Sequence, residues 1–195
     1  YTSPSTRNTW ANVYLSIKAD KYIKTILILQ EFINYLGSKY PMDQVGECKF
    51  RTEGTSNDAI VLRFACKEHY EEFLKFMDEH KEIAEAFDTP NPFLPRDKHG
   101  LSIITDNNSS YNYFVTKILW DYMTECRNQN EDISIEKLII FITNYNCKTD
   151  INLAKESTKI IEDFKYVLIS KLSNVSDEEI IKTLFEDPSK KKITN

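Results

Sequence analysis

The stretch that decides the fold is residues 59–87, AIVLRFACKEHYEEFLKFMDEHKEIAEAF. It opens with a run of β-branched and aromatic residues at 59–65, which predicts a strand. From Lys67 to Phe87 the apolar residues recur at every third or fourth position, which predicts an amphipathic helix. A strand that leads into such a helix indicates a sheet with helices packed on one face.

The residues before this stretch predict a strand, a helix and another strand. Residues 11–18 (ANVYLSIK) alternate between apolar and polar side chains, as a half-buried strand does. Residues 20–36 have apolar side chains at helical spacing, and Gly37 follows where a left-handed residue commonly ends a helix. Residues 47–53 (ECKFRTE) read as a strand that the turn-forming GTSND joins to the strand at 59–65.

A short apolar run at 101–105 (LSIIT) predicts a fourth strand. The resulting order over residues 10–105 is strand, helix, strand, strand, helix, strand. This is the order of a split βαβ, ferredoxin-like unit, which forms an antiparallel sheet. The sequence therefore predicts the α+β class.

The second half of the chain is predicted to be helical. Ser176 and Glu179 have the spacing of a capping box, in which the serine side chain and the glutamate satisfy the first amides of a helix. Four helices are predicted, beginning at Ser109 or Ser110, at Asp132 or Ser134, at Thr149 or Asp150, and after Ser176. We expect this four-helix half to pack on the sheet.

No flexible linker separates the two halves, so residues 10–187 are predicted to form a single α+β domain. Residues 10–105 form its sheet-containing part and residues 106–187 its helical part. The segments 1–9 and 188–195 are predicted to be disordered.

Composition excludes several classes of protein. The chain has 41% hydrophobic and 28% charged residues, as globular proteins do. It has no apolar run long enough for a transmembrane helix. A net charge of -5 argues against a dominant nucleic-acid-binding surface. The four cysteines are widely spaced, which favours reduced thiols in a cytosolic compartment.

The proline-rich loop at 89–110 holds the strongest candidates for chemistry. Its side chains Arg96, Lys98 and His99 precede the flexible Gly100, and this set suits a phosphate or carboxylate. The amides at the start of the next helix, near Ser109 and Ser110, would complete an anion site. Lys98 and His99 are also a candidate base and acid, so the sequence leaves open whether the protein is an enzyme.

The sequence has no metal-binding or cofactor-binding motif, and we expect neither a metal nor a cofactor. His69 and His80 lie on one predicted helix, too far apart along its axis to share a metal ion. His69 is near the helix start and is predicted to face solvent.

Nucleic-acid binding on the sheet is a weaker alternative. Sheets that bind RNA stack bases on aromatic side chains of their two central strands. Here the first strand offers Tyr14 beside Ser16, and the third offers Arg63 without an aromatic partner on the same face. One tyrosine does not make the usual platform, so nucleic acid is not the expected partner.

A protein partner is the leading expectation. The aromatic residues at the start of the first helix of the second half are suitable anchors, because tyrosine and phenylalanine supply large contact areas. The candidate contact residues are Phe93, Tyr111, Tyr113 and Phe114. The sequence does not indicate an oligomeric state.

Three segments also carry a resemblance to a known family. They are NVYLSIKAD (12–20), TSNDAIVLRF (55–64) and FLPRDKHGLSIITDNNSSYNYFVTKIL (93–119). In this order they resemble the HopA-type bacterial type III effectors. The resemblance implies a bacterial virulence protein that depends on a chaperone, is secreted and acts in a host cell.

The fold of that family has been likened to phosphothreonine lyases, which eliminate phosphate with a lysine base, a histidine acid and arginine clamps. What the resemblance implies for this chain is Lys98 as base and His99 as acid. Its phosphate contacts would be Arg51, Arg63 and Arg96. The strand ECKFRTE departs from the lyase pattern, because Arg51 stands where that pattern has a histidine.

Overall fold

The computed structural model describes residues 10–40, 48–50, 59–105, 111–147 and 158–186 of the 195-residue chain. These residues divide into two compact units. Unit 1 lies within 1–92 and 96–107, and unit 2 lies within 93–95 and 108–195. The segments predicted to be disordered, 1–9 and 188–195, lie outside the described residues, and the single domain over 10–187 stays a prediction.

Unit 1 contains a four-stranded antiparallel sheet. Its strands are β1 (Ala11–Leu15), β2 (Cys48–Phe50), β3 (Ile60–Phe64) and β4 (Ser102–Ile104). Their order across the sheet is β2-β3-β1-β4, so β1 and β3 are the central strands. Val13 of β1 lies opposite Leu62 of β3 on one side and Ile103 of β4 on the other. Together with the helices below, this sheet confirms the α+β class.

The first helix of unit 1, α1 (Tyr22–Lys39), follows a 3-10 turn at Ala19–Lys21. It does not end at Gly37, as the sequence predicted, but continues to Lys39. Tyr40 leaves the helix with an extended backbone, φ -123° and ψ 149°. The residue before a proline is pushed out of the helical region, so Pro41 ends α1 through Tyr40.

The helix predicted over 67–87 is broken in two at His80. The structure has α2 (Lys67–Glu79) and α3 (Lys81–Glu85), with His80 between them at φ -115° and ψ 66°. After α3 the backbone pairs with the chain that follows β1. Lys18 N donates to Ala86 O at 2.9 Å, and Asp88 N donates to Ser16 O at 2.9 Å. These tertiary bonds give partners to backbone groups of residues 86 and 88, just after α3 ends at Glu85.

The core of unit 1 is aromatic where the helices meet the sheet. Phe73 of α2 lies 5.2 Å from Phe32 of α1 and 5.5 Å from Phe64 of β3, between ring centroids. All of β1 is buried, including Asn12 at 1% and Tyr14 at 7% exposure. The prediction of a half-buried first strand was therefore wrong.

Unit 2 contains four helices among the described residues. They are α4 (Tyr111–Gln129), α5 (Ile135–Asn144), α6 (Thr158–Leu172) and α7 (Asp177–Phe185). Ser134 and Ser176 cap α5 and α7, because their side chains accept from the amides of Lys137 and Glu179. The predicted helix starts at Ser109, Ser110, Thr149 and Asp150 lie outside the described residues.

Three aromatic rings form the centre of unit 2. The ring centroid of Phe164 on α6 lies 5.1 Å from that of Tyr111 and 5.4 Å from that of Phe114, both on α4. The Tyr111 hydroxyl donates to the carbonyl oxygen of Phe93 at 2.7 Å. This bond satisfies the one polar group of an otherwise buried tyrosine and fixes residues 93–95 on unit 2.

Candidate functional site

Asp97 organises the proline-rich loop. Its Oδ1 accepts from the amides of His99 at 2.9 Å and Leu101 at 2.8 Å, and its Oδ2 accepts from the hydroxyl of Tyr70. Its own amide donates to Leu101 O at 2.9 Å. Gly100 has a φ of 83°, a conformation that other residues rarely adopt. Residues 97–101 therefore form a tight turn built around one carboxylate.

This turn does not gather the predicted catalytic groups into an enclosed site. Arg96 and Lys98 are exposed, and His99 is half-buried. The carboxylate at the centre of the turn carries the same charge as a phosphate, so it opposes binding of an anion there. The sequence interpretation missed Asp97, although an aspartate followed by a glycine three residues later is a turn signal.

Of the remaining candidates for phosphate contacts, the structure describes only Arg63. Arg63 lies in β3 opposite Asn12 of β1, and it is only 9% exposed. Arg51, Ser109 and Ser110 lie outside the described residues. The anion site therefore stays a prediction, with Arg63, Arg96, Lys98 and His99 as its described members.

Metal and thiol chemistry find little support in the described ranges. No group of three or more His, Cys, Asp or Glu side chains within them is arranged to hold a metal ion. Burial raises the pKa of Cys48 to about 12 and raises that of Cys66 as well. Both thiols are therefore protonated at neutral pH, and a protonated thiol is a poor nucleophile.

Cys48 is expected to resist alkylation in the folded protein. With its pKa near 12, its thiolate fraction at pH 8 is lower than that of an ordinary thiol by roughly a factor of 10³. Iodoacetamide at pH 8, followed by peptide mass spectrometry, should label Cys48 far more slowly in buffer than in guanidinium chloride. Equal labelling rates in the two solvents would contradict this expectation.

His69 belongs to a polar cluster between α1 and α2 and does not face solvent, so that prediction was wrong. It is 3% exposed, and its ring lies 4.3 Å from the ring of Tyr40. Beside it, Glu72 Oε1 accepts from Lys39 Nζ at 2.5 Å and from the Tyr40 hydroxyl at 2.7 Å. Burial opposes ionisation of Glu72, but these two bonds outweigh it and lower its pKa. The cluster ties the end of α1 to α2.

A stripe of exposed apolar side chains runs along α4. It consists of Tyr113, Trp120 and Met123, which are 39%, 70% and 52% exposed. Residues seven and three positions apart lie on one side of a helix. We call these three residues the α4 stripe. Tyr113 was predicted as a contact residue, whereas Trp120 and Met123 were missed.

The other predicted contact residues lie elsewhere. Tyr111 and Phe114 are fully buried in the core of unit 2, so they are packing residues and that prediction was wrong for both. Phe93 is half-buried, and its carbonyl oxygen accepts the hydroxyl of Tyr111. The helical period explains the difference, because α4 turns positions 111 and 114 inward and position 113 outward.

A groove of about 570 Å³ separates α4 from α5. Its walls come from these two helices and the residues next to them, and they combine aromatic, acidic and amide side chains. The lining residues are Asp121, Tyr122, Glu125, Cys126, Gln129, Glu131, Lys137, Ile140, Phe141, Asn144, Tyr145 and Asn146. The volume is within the range of small-ligand and peptide-binding clefts.

The aromatic part of this α4–α5 groove is contiguous. Phe141 lies 5.5 Å from the ring of Tyr122 and 5.5 Å from the ring of Tyr145. The Tyr145 hydroxyl donates to Asp121 Oδ2 at 2.6 Å. Lys137 Nζ donates to Glu131 Oε2 at 2.7 Å, and this bond raises the pKa of Lys137. Lys137 therefore stays charged at neutral pH.

No helix in the described part of the chain combines the length and the apolar character needed to cross a bilayer. The features that bear on function are the α4 stripe, the α4–α5 groove and the Asp97 turn. No protein-family model, no curated protein and no solved structure matches the chain.

Proposed function

We propose that this protein is an interaction domain that binds a protein partner through the α4 stripe. The observation that carries the proposal is the exposure of Trp120, which leaves 70% of the largest side chain in proteins in contact with water. Met123 lies next to it at 52% exposure. Trp is strongly enriched among the residues that dominate binding energy at interfaces.

More than half of the surface of Trp120 and of Met123 is in contact with water. The buried residues of this helix include Val115, Ile118 and Tyr122, and the stripe residues point away from them. Covering apolar surface releases about 25 cal/mol per Å², so a partner that buries the Trp120 and Met123 side chains gains several kcal/mol.

The resemblance to the HopA-type effectors supplies one setting for this function. In that setting the protein is a bacterial effector, and its partner is a protein of a host cytosol. The resemblance rests on the sequence segments alone. The enzyme alternative at Arg96, Lys98 and His99 remains a prediction.

Crosslinking from the stripe tests the proposal. A photoreactive benzoylphenylalanine replaces Trp120 in one variant and Ile23 in another. Ile23 is a matched control, because it is an exposed apolar helix residue of unit 1 at 67% exposure. After irradiation in the cytosol of a producing or host cell, we expect one protein to be crosslinked at position 120 and not at position 23.

The binding energy is then measured with the protein so identified. Trp120→Ala should weaken its binding by about 2 kcal/mol or more, roughly thirtyfold. Ile23→Ala should leave binding within twofold of the wild type. A crosslink at position 120 to a second copy of this chain alone, or the same products at both positions, would overturn the proposal.

A further inference from the structure

We propose that the α4–α5 groove binds a lysine-bearing segment of the partner polypeptide. This inference rests on the proposed protein-binding function and adds a second surface of unit 2 to it. The groove differs from the α4 stripe in chemistry, because charged and aromatic side chains line it together.

The shape of the groove suits a polypeptide segment. Its volume of about 570 Å³ exceeds that of a single side chain. Gln129, Ile140 and Asn144 along its edges are all exposed. A cleft with such open edges covers a small molecule poorly, since ligand pockets bury most of their ligand. An extended or helical segment of a larger chain lies in an open groove with its ends free.

The charge of the groove selects a basic segment. Its lining has the three carboxylates of Asp121, Glu125 and Glu131 against the single ammonium of Lys137. Lys137 is paired with Glu131, and Asp121 accepts from both Lys117 and Tyr145. Glu125 accepts from the neutral amide of Gln129 at 3.4 Å, a long and weak bond. Glu125 is thus the carboxylate that a ligand cation would best complement.

The aromatic rings favour the same ligand. Phe141 and Tyr145 lie on the wall opposite Glu125, and aromatic faces attract ammonium and guanidinium groups. A lysine side chain presents an aliphatic stem to apolar surface and its charge to a carboxylate. Phe141 with Ile140 would contact the stem, and Glu125 would accept from the ammonium group.

The spacing of the acidic residues in the groove predicts the spacing of the lysines in the bound segment. Asp121 and Glu125 are one helical turn apart, about 6 Å along the axis of α4. Two lysines four residues apart on a helical segment have the same separation. A helix with this lysine pair and leucines beside it therefore matches the wall of the groove.

Synthetic peptides test the inference directly. The probe is a fluorescein-labelled, amidated 14-residue alanine-rich peptide with two leucines and two lysines four residues apart. A matched peptide has glutamates in place of the lysines. By fluorescence anisotropy we expect the lysine peptide to bind at least tenfold more tightly than the glutamate peptide. Glu125→Lys should reduce binding of the lysine peptide at least tenfold.

The control removes the effect of net charge. Glu178→Lys makes the same change in charge at an exposed residue of α7, and it should weaken binding by less than threefold. Equal losses for the two variants, or equal binding of the two peptides, would overturn the inference. Neither result would alter crosslinking from position 120, so failure of the groove is distinguishable from failure of the α4 stripe.

Discussion

Replacing Phe164 with alanine is expected to lower the free energy of unfolding of unit 2 by about 3–5 kcal/mol. Phe164 is 1% exposed and contacts the rings of both Tyr111 and Phe114. Removing its ring takes away apolar burial and leaves a cavity that α4 and α6 cannot close without moving. Because folded domains are stable by only about 5–15 kcal/mol, the loss removes a large part of the stability.

Urea denaturation followed by tryptophan fluorescence measures this effect. A Trp10→Phe background leaves Trp120 of unit 2 as the reporter, since the chain has two tryptophans. Tyr113→Ala is the control on the same helix, because Tyr113 is 39% exposed, and it should change stability by less than about 1 kcal/mol. Similar losses for Phe164→Ala and Tyr113→Ala would show that the aromatic cluster is not the core of unit 2.

Replacing Asp97 with alanine is expected to cost about 2–4 kcal/mol of stability. The substitution removes the acceptor for three donors: the hydroxyl of Tyr70 and the amides of His99 and Leu101. Tyr70 is 8% exposed and Leu101 is 1% exposed, so neither donor regains a full water contact. An unpaired buried donor costs about 1–3 kcal/mol, and the three costs overlap because the turn relaxes.

Lys98→Ala in the same turn is the control. Lys98 is exposed, and its substitution should change stability by less than about 0.5 kcal/mol. Tyr70→Phe removes only the bond to Oδ2 and should cost less than Asp97→Ala. A loss for Asp97→Ala no larger than that for Lys98→Ala would contradict the role of Asp97 in the turn.

The hydrogen bond between Tyr70 and Asp97 is expected to make the stability of the protein fall at alkaline pH. Burial and the bond to Asp97 raise the pKa of Tyr70 above its ordinary value of 10.0. The folded state thus keeps the hydroxyl proton at a pH where the unfolded chain releases it, and stability falls as the pH rises above about 10. Denaturation between pH 8 and pH 11 should show a steeper alkaline loss for the wild type than for Tyr70→Phe.

Local patterns were sufficient to predict much of unit 1. The alternation in residues 11–18 predicts the strand β1, although both of its faces are buried, and the apolar periodicity from Lys67 predicts α2. What the patterns missed depends on partners far along the chain. No periodicity within α2 signals the break at His80, and the end of α3 is followed by bonds from residues 86 and 88 to residues 18 and 16.

The candidate sites were harder to predict for a related reason. The sequence drew attention to the basic residues Arg96 and Lys98, because charge suggests chemistry, while Asp97 between them holds the turn. On α4, the sequence does not distinguish the aromatic residues at 111, 113 and 114. The register of the helix buries residues 111 and 114 and exposes residue 113. The same helical register exposes Trp120, and no residue near it in the sequence indicates that exposure.

The pairing of β1 also has a consequence for biosynthesis. Asn12 near the start of unit 1 lies opposite Ile104 near its end, so β1 has its second neighbour only after β4 has left the ribosome. Until then the edge of β1 that pairs with β4 exposes unpaired backbone groups, which is the feature that leads nascent strands to aggregate. A nascent chain released before Ser102 would thus present this unpaired strand edge to chaperones, whereas a chain that includes β4 covers it.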